Sequence, residues 1–312
     1  MFPGHEEFYP YIVTGLALGG VYALSGVGIV VLYRATGVLN LAFGAVGAMG
    51  ALITWTLVTH YPSVPDWISY LVCVAFGGLV TLAYGVVFGP PLARRDALVK
   101  ATGTLGLTLI LLGIMDYIWP AATTRTLTLP TSGPDYSYHI GFANVDVTWT
   151  QIIGLAFGVT VTVGVSLFLR LTKLGTAMRA LADDREITST LGVPVRRVEA
   201  VAWFGSGLIA GAAGLLLADL VALDSVALTF LIISSLAAAL IARLRSLVET
   251  LVAGIVVGLA TALLTPITSW PSETNYQFSL SSFRNAAPFV IAIVTLLILA
   301  RRRVVSVSRS EG

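Results

Sequence analysis

Apolar residues fall in long uninterrupted blocks along this chain, not in the alternating or one-faced patterns of elements that pack half-exposed to water. Blocks of roughly 17 to 25 apolar residues have the length that crosses ~30 Å of hydrocarbon as helix. Nine are read here: Tyr9–Tyr33, Val38–Thr59, Ile68–Pro90, Lys100–Trp119, Gln151–Leu171, Val198–Leu220, Ala227–Ala242, Val248–Leu264 and Ala286–Ala300. The seventh and ninth are short, which leaves open a tilted crossing, a re-entrant segment or none. The expectation is an all-α, polytopic transmembrane bundle of eight to nine spans. It would form a single membrane domain over residues 1–303, followed by a tail at 304–312.

Composition points the same way. With 56% hydrophobic and 11% charged residues, and a mean hydropathy of +0.89, the chain carries more apolar surface than a soluble domain of 312 residues can cover. Glycine is enriched within the apolar blocks, and the pairs Gly15/Gly19, Gly154/Gly158, Gly207/Gly211 and Gly254/Gly258 have the four-residue spacing that brings membrane helices into close contact. The lone Cys73 excludes an intrachain disulfide. His5, His60 and His139 are too scattered for a metal site, so no metal is expected. Glu6 and Glu7 precede the first block where a cleaved signal would carry basic residues, so that block is expected to be retained.

Charge distribution sets an expected orientation, because basic residues concentrate in cytoplasmic loops. With the N-terminus outside and the C-terminus inside, 16 of the 18 Lys and Arg residues fall on the inner side, leaving only Arg125 and Arg284 outside. A miscounted span would invert every later loop. The external stretch 121–150 contains Pro130, Gly133 and Pro134, then the alternating run Asn144–Trp149, which reads as a small strand-bearing cap. A second external stretch spans 266–285.

The largest internal segment, 172–199, reads as a helix of about four turns ended by Gly192 and Pro194. Met178, Leu181, Ile187 and Leu191 recur at helical spacing, among the polar Arg179, Asp183, Asp184, Arg185 and Glu186. On residues alone it is either an amphipathic helix lying on the bilayer or a plug for a partner protein.

Several blocks together resemble one family. Gly175-Thr-Ala-Met178-Arg179-Ala180-Leu-Ala-Asp183-Asp184-Arg-Glu186, followed by Leu191-Gly192-Val193, is similar to the coupling segment of branched-chain amino-acid ABC permeases of the LivH type. Gly15–Leu24, then Tyr33–Gly44, resemble that family's opening signature, and Gly205–Gly214 its post-coupling helix. The blocks lie in the family's order across most of the chain. Two departures stand out: Phe43 replaces the family's usual His, and Leu236–Arg243 replaces a glycine-rich block.

The resemblance implies half of a translocation pore in the plasma (inner) membrane, completed by a second homologous permease. Two cytoplasmic ATP-binding subunits would drive it and an external solute-binding protein would feed it. ATP and Mg would be used by those partners and no cofactor bound by this chain, which has no Gly-Lys-Ser/Thr phosphate loop. Gly175, Met178, Arg179, Ala180, Asp183, Asp184, Glu186, Leu191 and Gly192 would form or shape the ATPase contact. The solute would be a branched-chain amino acid or a related small polar molecule, with urea, a sugar or an aromatic acid as alternatives.

Polar residues inside apolar blocks are costly unless paired, which singles out Asn40, then Tyr22, Ser25 and Ser206, with Phe43, as candidates along the path. An interhelical hydrogen bond is the plainer reading of Asn40. Asp116 fits interfacial solvation, and Glu249 suits a pair with Arg245 one turn away. No acidic relay runs through the spans, which weighs against the rival reading of an ion-coupled secondary transporter or channel. No nucleophile–base pair or metal motif suggests an enzyme, and no nucleic-acid partner is expected.

Overall fold

Helix α1 (Tyr9–Thr36) is apolar on every side, and the fold is built around it. In its most apolar stretch 83% of the residues lie inside the protein, against 22% for the later helices Ala97–Ile118 and Trp149–Leu171. The computed structural model describes residues 8–93, 95–120, 125–140, 145–221, 223–268, and 290, 291, 293, 294 and 297. Seven of its helices are long and apolar enough to cross a membrane.

The chain shuttles between two ends. After α1 come α2 (Phe43–His60), α3 (Asp66–Leu92) and α4 (Ala97–Ile118). Two 3₁₀ turns, Pro130–Ser132 and Pro134–Tyr136, lead into a hairpin of β1 (Ser137–Ile140) and β2 (Val145–Thr148). The strands are antiparallel, with Ser137 opposite Thr148 and Ile140 opposite Val145. Thus 145–148 is a strand, as its alternation suggests, with Val145 and Val147 turned inward. A capping box at Thr148 and Gln151 starts α5 (Trp149–Leu171). At the opposite end lie α6 (Lys173–Asp183) and α7 (Arg185–Thr190), from which α8 (Val195–Leu220) returns towards the hairpin.

The return path corrects the seventh expected span. Residues 225–241 form two short helices, α9 (Ser225–Phe230) and α10 (Ile232–Ile241), separated at Leu231. They nevertheless carry the chain from one end to the other. Asp219 at the end of α8 meets the hairpin-side segment at Leu129, whereas Arg245 beyond α10 accepts a hydrogen bond from Arg34 at the foot of α1. Helix α11 (Leu247–Thr268) runs back beside α1. The ninth expected span, Ala286–Ala300, lies largely outside the described residues, as does the 266–285 loop beyond Thr268.

The second span also starts later than expected. α1 stops at Gly37, whose φ of 67° and N–H to Tyr33 O (2.7 Å) close the helix in a left-handed cap. Residues 37–42 are then irregular, and the helix resumes at Phe43, not Val38. Such backbone is tolerated in a membrane bundle only where protein satisfies it. Thr104 of α4 does so: its hydroxyl donates to Leu39 O (2.9 Å) and accepts from Leu41 N (3.1 Å).

Glycines set the closest helix crossings. Gly15 and Gly19 of α1 face Gly254 and Gly258 of α11, and a Cβ on Gly19 would stand 2.7 Å from Ile255 Cα. Gly158 of α5 sits on Gly20, with Gly154 more loosely placed against Val21. Gly207 and Gly211 of α8 meet Gly77 and Cys73 of α3. Hydrogen bonds reinforce this last crossing: Thr81 Oγ1 donates to Trp203 O (2.9 Å), and the Cys73 thiol to Gly211 O (3.3 Å). Each such bond contributes only ~0.6 kcal/mol in a membrane, so close backbone packing carries most of the association.

Candidate translocation path and docking segment

The segment expected to couple is not one helix. Thr172 caps α6 by accepting from Gly175 N (2.9 Å), and Gly175 lets α6 fold back onto the end of α5, since a Cβ there would meet Leu169 and Phe168 backbone. The chain then breaks at Asp184, which is extended (φ −152°, ψ 113°) and caps α7 by accepting from Ile187 N (2.9 Å). A short acidic side chain competes with helical backbone for hydrogen bonds, so the second Asp of Asp183-Asp184 ends one helix and starts another. Gly192 follows α7 at φ 80°, where a side chain would be strained although nothing crowds it.

Burial divides this segment into an inner and an outer set. Met178 and Leu181 are buried in the chain's own core, so Met178 shapes the segment from within and presents no outward contact. Arg179 and Ala180 are half-buried, with Arg179 donating to Thr176. Asp183, Asp184, Glu186, Leu191 and Gly192 are exposed. The apolar groups that project outward are Ile187 and Leu191, 60% and 76% exposed and four residues apart. Arg185 pairs with Glu199 of α8, tying the first residue of α7 to a long helix.

Of the intramembrane candidates, Tyr22 borders an open cavity of about 1010 Å³ at the hairpin end of α1 and α11. Its polar wall is Thr14, Tyr22, Asp224, Ser234, Thr261 and Thr265. Composition gave no notice of most of these. Spacing does carry a trace of them, in Thr14, Leu18 and Tyr22 on one face of α1 and Thr261 and Thr265 on one face of α11.

Ser25 and Phe43 lie deeper, lining a small gap that Ser235 also borders. About 10 Å³ is open there to the centre of a water molecule, room for one. Asn40 sits in the irregular linker, 1% exposed, its Oδ1 accepting from Ala42 N (3.1 Å) while Nδ2 has no protein acceptor. Ser206 is likewise buried, with an unpartnered hydroxyl on α8. Tyr22 is therefore the one candidate of the five at the open cavity.

At the hairpin end, Asp219 of α8 gathers the 125–132 segment, an irregular stretch that ends in the Pro130–Ser132 turn. Its carboxylate accepts from Leu129 N (2.8 Å) and from the Ser132 hydroxyl, which in turn contacts Thr150 Oγ1 at 2.7 Å. His139 and Asp146 pair across β1 and β2 at 2.8 Å on the surface. Glu249 makes no ion pair among the described residues, and its N–H is capped by Ser246 Oγ (3.2 Å) instead. Asp116 is exposed. Among the described residues no group of three or more His, Cys, Asp or Glu side chains is placed to hold a metal.

Seven long apolar helices, with many apolar side chains exposed on α3, α4 and α5, define a multi-pass membrane protein. The chain belongs to the family described as branched-chain amino acid transport system / permease component, which matches residues 11–300. It is 26% identical to the high-affinity branched-chain amino acid transport system permease protein BraD of Pseudomonas aeruginosa, over 68% of this chain and 72% of that one. Identity to the probable branched-chain amino acid transport permease protein LivH of Methanocaldococcus jannaschii is 29%, over 71% and 70%. It is 28% identical to LivM of Escherichia coli, over 64% of this chain and half of that longer protein. A chain of PsaBC from Streptococcus pneumoniae in complex with Fab aligns over 94% of this chain and 91% of that one at 13% identity and a TM-score of 0.48, a likeness too slight to build on.

Proposed function

We propose that this chain is one permease subunit of an ABC importer in the inner membrane, importing a branched-chain amino acid or a related small polar solute. The observation that carries this reading is the family match across nearly the whole chain, joined to a docking segment whose buried and exposed faces are distinct. Eleven of the described basic residues, from Arg34 to Arg245, lie at or near the α6–α7 end, which supports a cytoplasmic location for it. The hairpin end then faces the binding protein.

Two ATP-binding subunits would receive Ile187 and Leu191 in a cleft, and their closure would push α7. The push would pass through the Arg185–Glu199 pair into α8. The open cavity, amphiphilic in lining, would form this subunit's share of the outer path, facing a second homologous permease. A wall of hydroxyls, one carboxylate and aliphatic carbons suits a zwitterion with an apolar side chain, without holding it tightly.

The test is uptake in proteoliposomes holding this chain with the permease, ATPase and binding protein encoded beside it. Labelled leucine is expected to enter only with ATP, and vanadate to stop it. Transport by the purified chain alone under an ion gradient would overturn the reading, and ATP-driven uptake of urea or an aromatic acid in place of leucine would overturn the solute.

A further inference from the structure

At the α6–α7 end a cavity of about 800 Å³ opens between four parts of the chain. Arg34 comes from the last turn of α1, Lys100 from the first turn of α4, Asp183 and Arg185 from the α6–α7 break, and Arg243 and Arg245 from the turn before α11. Five cations and one carboxylate line it, and a second carboxylate, Glu199, lies within electrostatic reach of Arg185 and Lys100. Among the described residues, Arg185 is the only one of the five in an ion pair, with Glu199. Arg34 spends one donor on Arg245 O at 3.1 Å.

Two further observations bear on this cavity. The turn that presents Arg243 and Arg245 has two successive residues with positive φ, Arg243 at 54° and Leu244 at 56°, neither of them glycine. Side chains rarely adopt that conformation, and here it places two guanidinium groups on one cavity wall. The helix that brings Lys100 to the cavity, α4, leaves Leu98, Leu105 and Leu109 exposed along its far side, with Val99 between that side and Lys100. A cationic pocket at the foot of a helix with exposed apolar side chains offers the two parts that an anionic phospholipid needs, cations for the phosphate and an apolar surface for the acyl chains.

We infer that this cavity binds the phosphate group of an anionic phospholipid from the adjoining leaflet, with its acyl chains along α4. The leaflet is the cytoplasmic one on the functional reading above, but the binding itself does not depend on that reading. A bound headgroup would touch the break between α6 and α7 and brace it against α1 and the α10–α11 turn. Coupling would then be more efficient in anionic membranes.

The test uses the full-length chain, delipidated in detergent and titrated with phosphatidylglycerol, phosphatidylcholine or inorganic phosphate, with binding read by native mass spectrometry and thermal shift. Phosphatidylglycerol is expected to bind at least tenfold more tightly than phosphatidylcholine. Lys100→Gln combined with Arg243→Gln should weaken it fivefold or more, Lys100→Arg should restore it, and Arg196→Gln with Arg197→Gln, outside the cavity, should leave it within twofold. Equal binding of both lipids, or a Lys100/Arg243 variant that binds like the parent, would overturn the site. An equal shift with inorganic phosphate would reassign it to a soluble anion and overturn the lipid source. Loss of bound lipid when the ATPase subunits are added would give the cavity to an acidic partner segment and overturn the proposal. No step measures transport, so a failed importer reading and a failed lipid site are told apart.

Discussion

Glycines in this chain do two separate jobs that the letter G alone does not distinguish. Gly258 stands so close to Gly19 that a Cβ would enter the α1 backbone, whereas Gly106 of α4 has nothing within 4 Å. Gly258→Val is therefore expected to separate α1 from α11 and cost ~1–3 kcal/mol or more through overpacking. A lowered melting temperature of the purified protein would register it. Gly106→Ala should instead leave folding intact, and improve it by up to ~0.5–1 kcal/mol because alanine is the better helix former. A Gly106→Ala protein that melts well below the parent would contradict the lipid-facing assignment of that face.

At the scale of elements, the proposed docking segment would separate stability from coupling. Ile187→Glu and Leu191→Glu remove outward apolar groups and touch no core. Uptake is expected to fall about tenfold or more, the scale of losing ~1–2 kcal/mol at a contact, with the melting temperature unchanged. Met178→Glu buries a charge in the chain's own core and should reduce folded yield before any coupling assay becomes possible. Asp184→Ala should cost ~1 kcal/mol through the lost cap of α7, and Asp184→Asn, which keeps an acceptor, should restore most of it. The segment's amphipathic content was legible in the sequence. Its break was not, because Asp183-Asp184 within good helix formers has the same local propensity whether the second carboxylate points to solvent or turns back onto Ile187 N. For the same reason the start of α2 was misplaced: Val38–Ala42 is nearly as apolar as the helices around it, and the hydrogen bonds that make an irregular linker tolerable there come from Thr36, from Asn40 and from Thr104, 63 residues away from Leu41. The open cavity was hidden too, since its polar wall is assembled from α1, α11 and the α9–α10 region, each contributing only a few hydroxyls or a carboxylate.

For the whole molecule, orientation is the quantity that hydropathy leaves open and charge addresses. Cys73 is the chain's one cysteine and is buried with its thiol against Gly211 O, so the parent should not react with a membrane-impermeant maleimide. In a Cys73→Ser background, a cysteine replacing Ser189 should react only from the cytoplasmic side, and one replacing Tyr138 only from outside. Labelling of both from the same face would refute the alternating path. That the chain is built of long apolar helices follows from block length, because crossing length depends on the bilayer and not on which helix lies against which; the sidedness that loop charge suggests is what this labelling tests.

The central place of α1 has a further consequence for how the protein is made. α1 leaves the ribosome well before the helix that covers its glycine face, since α11 follows more than 200 residues later. For most of synthesis that face must wait in lipid or against the insertion machinery. A chain halted before Leu247 would present Gly15, Gly19 and the neighbouring backbone uncovered. Incomplete chains should therefore be marked for membrane proteolysis by the very helix that, once α11 arrives, is the least accessible part of the finished protein.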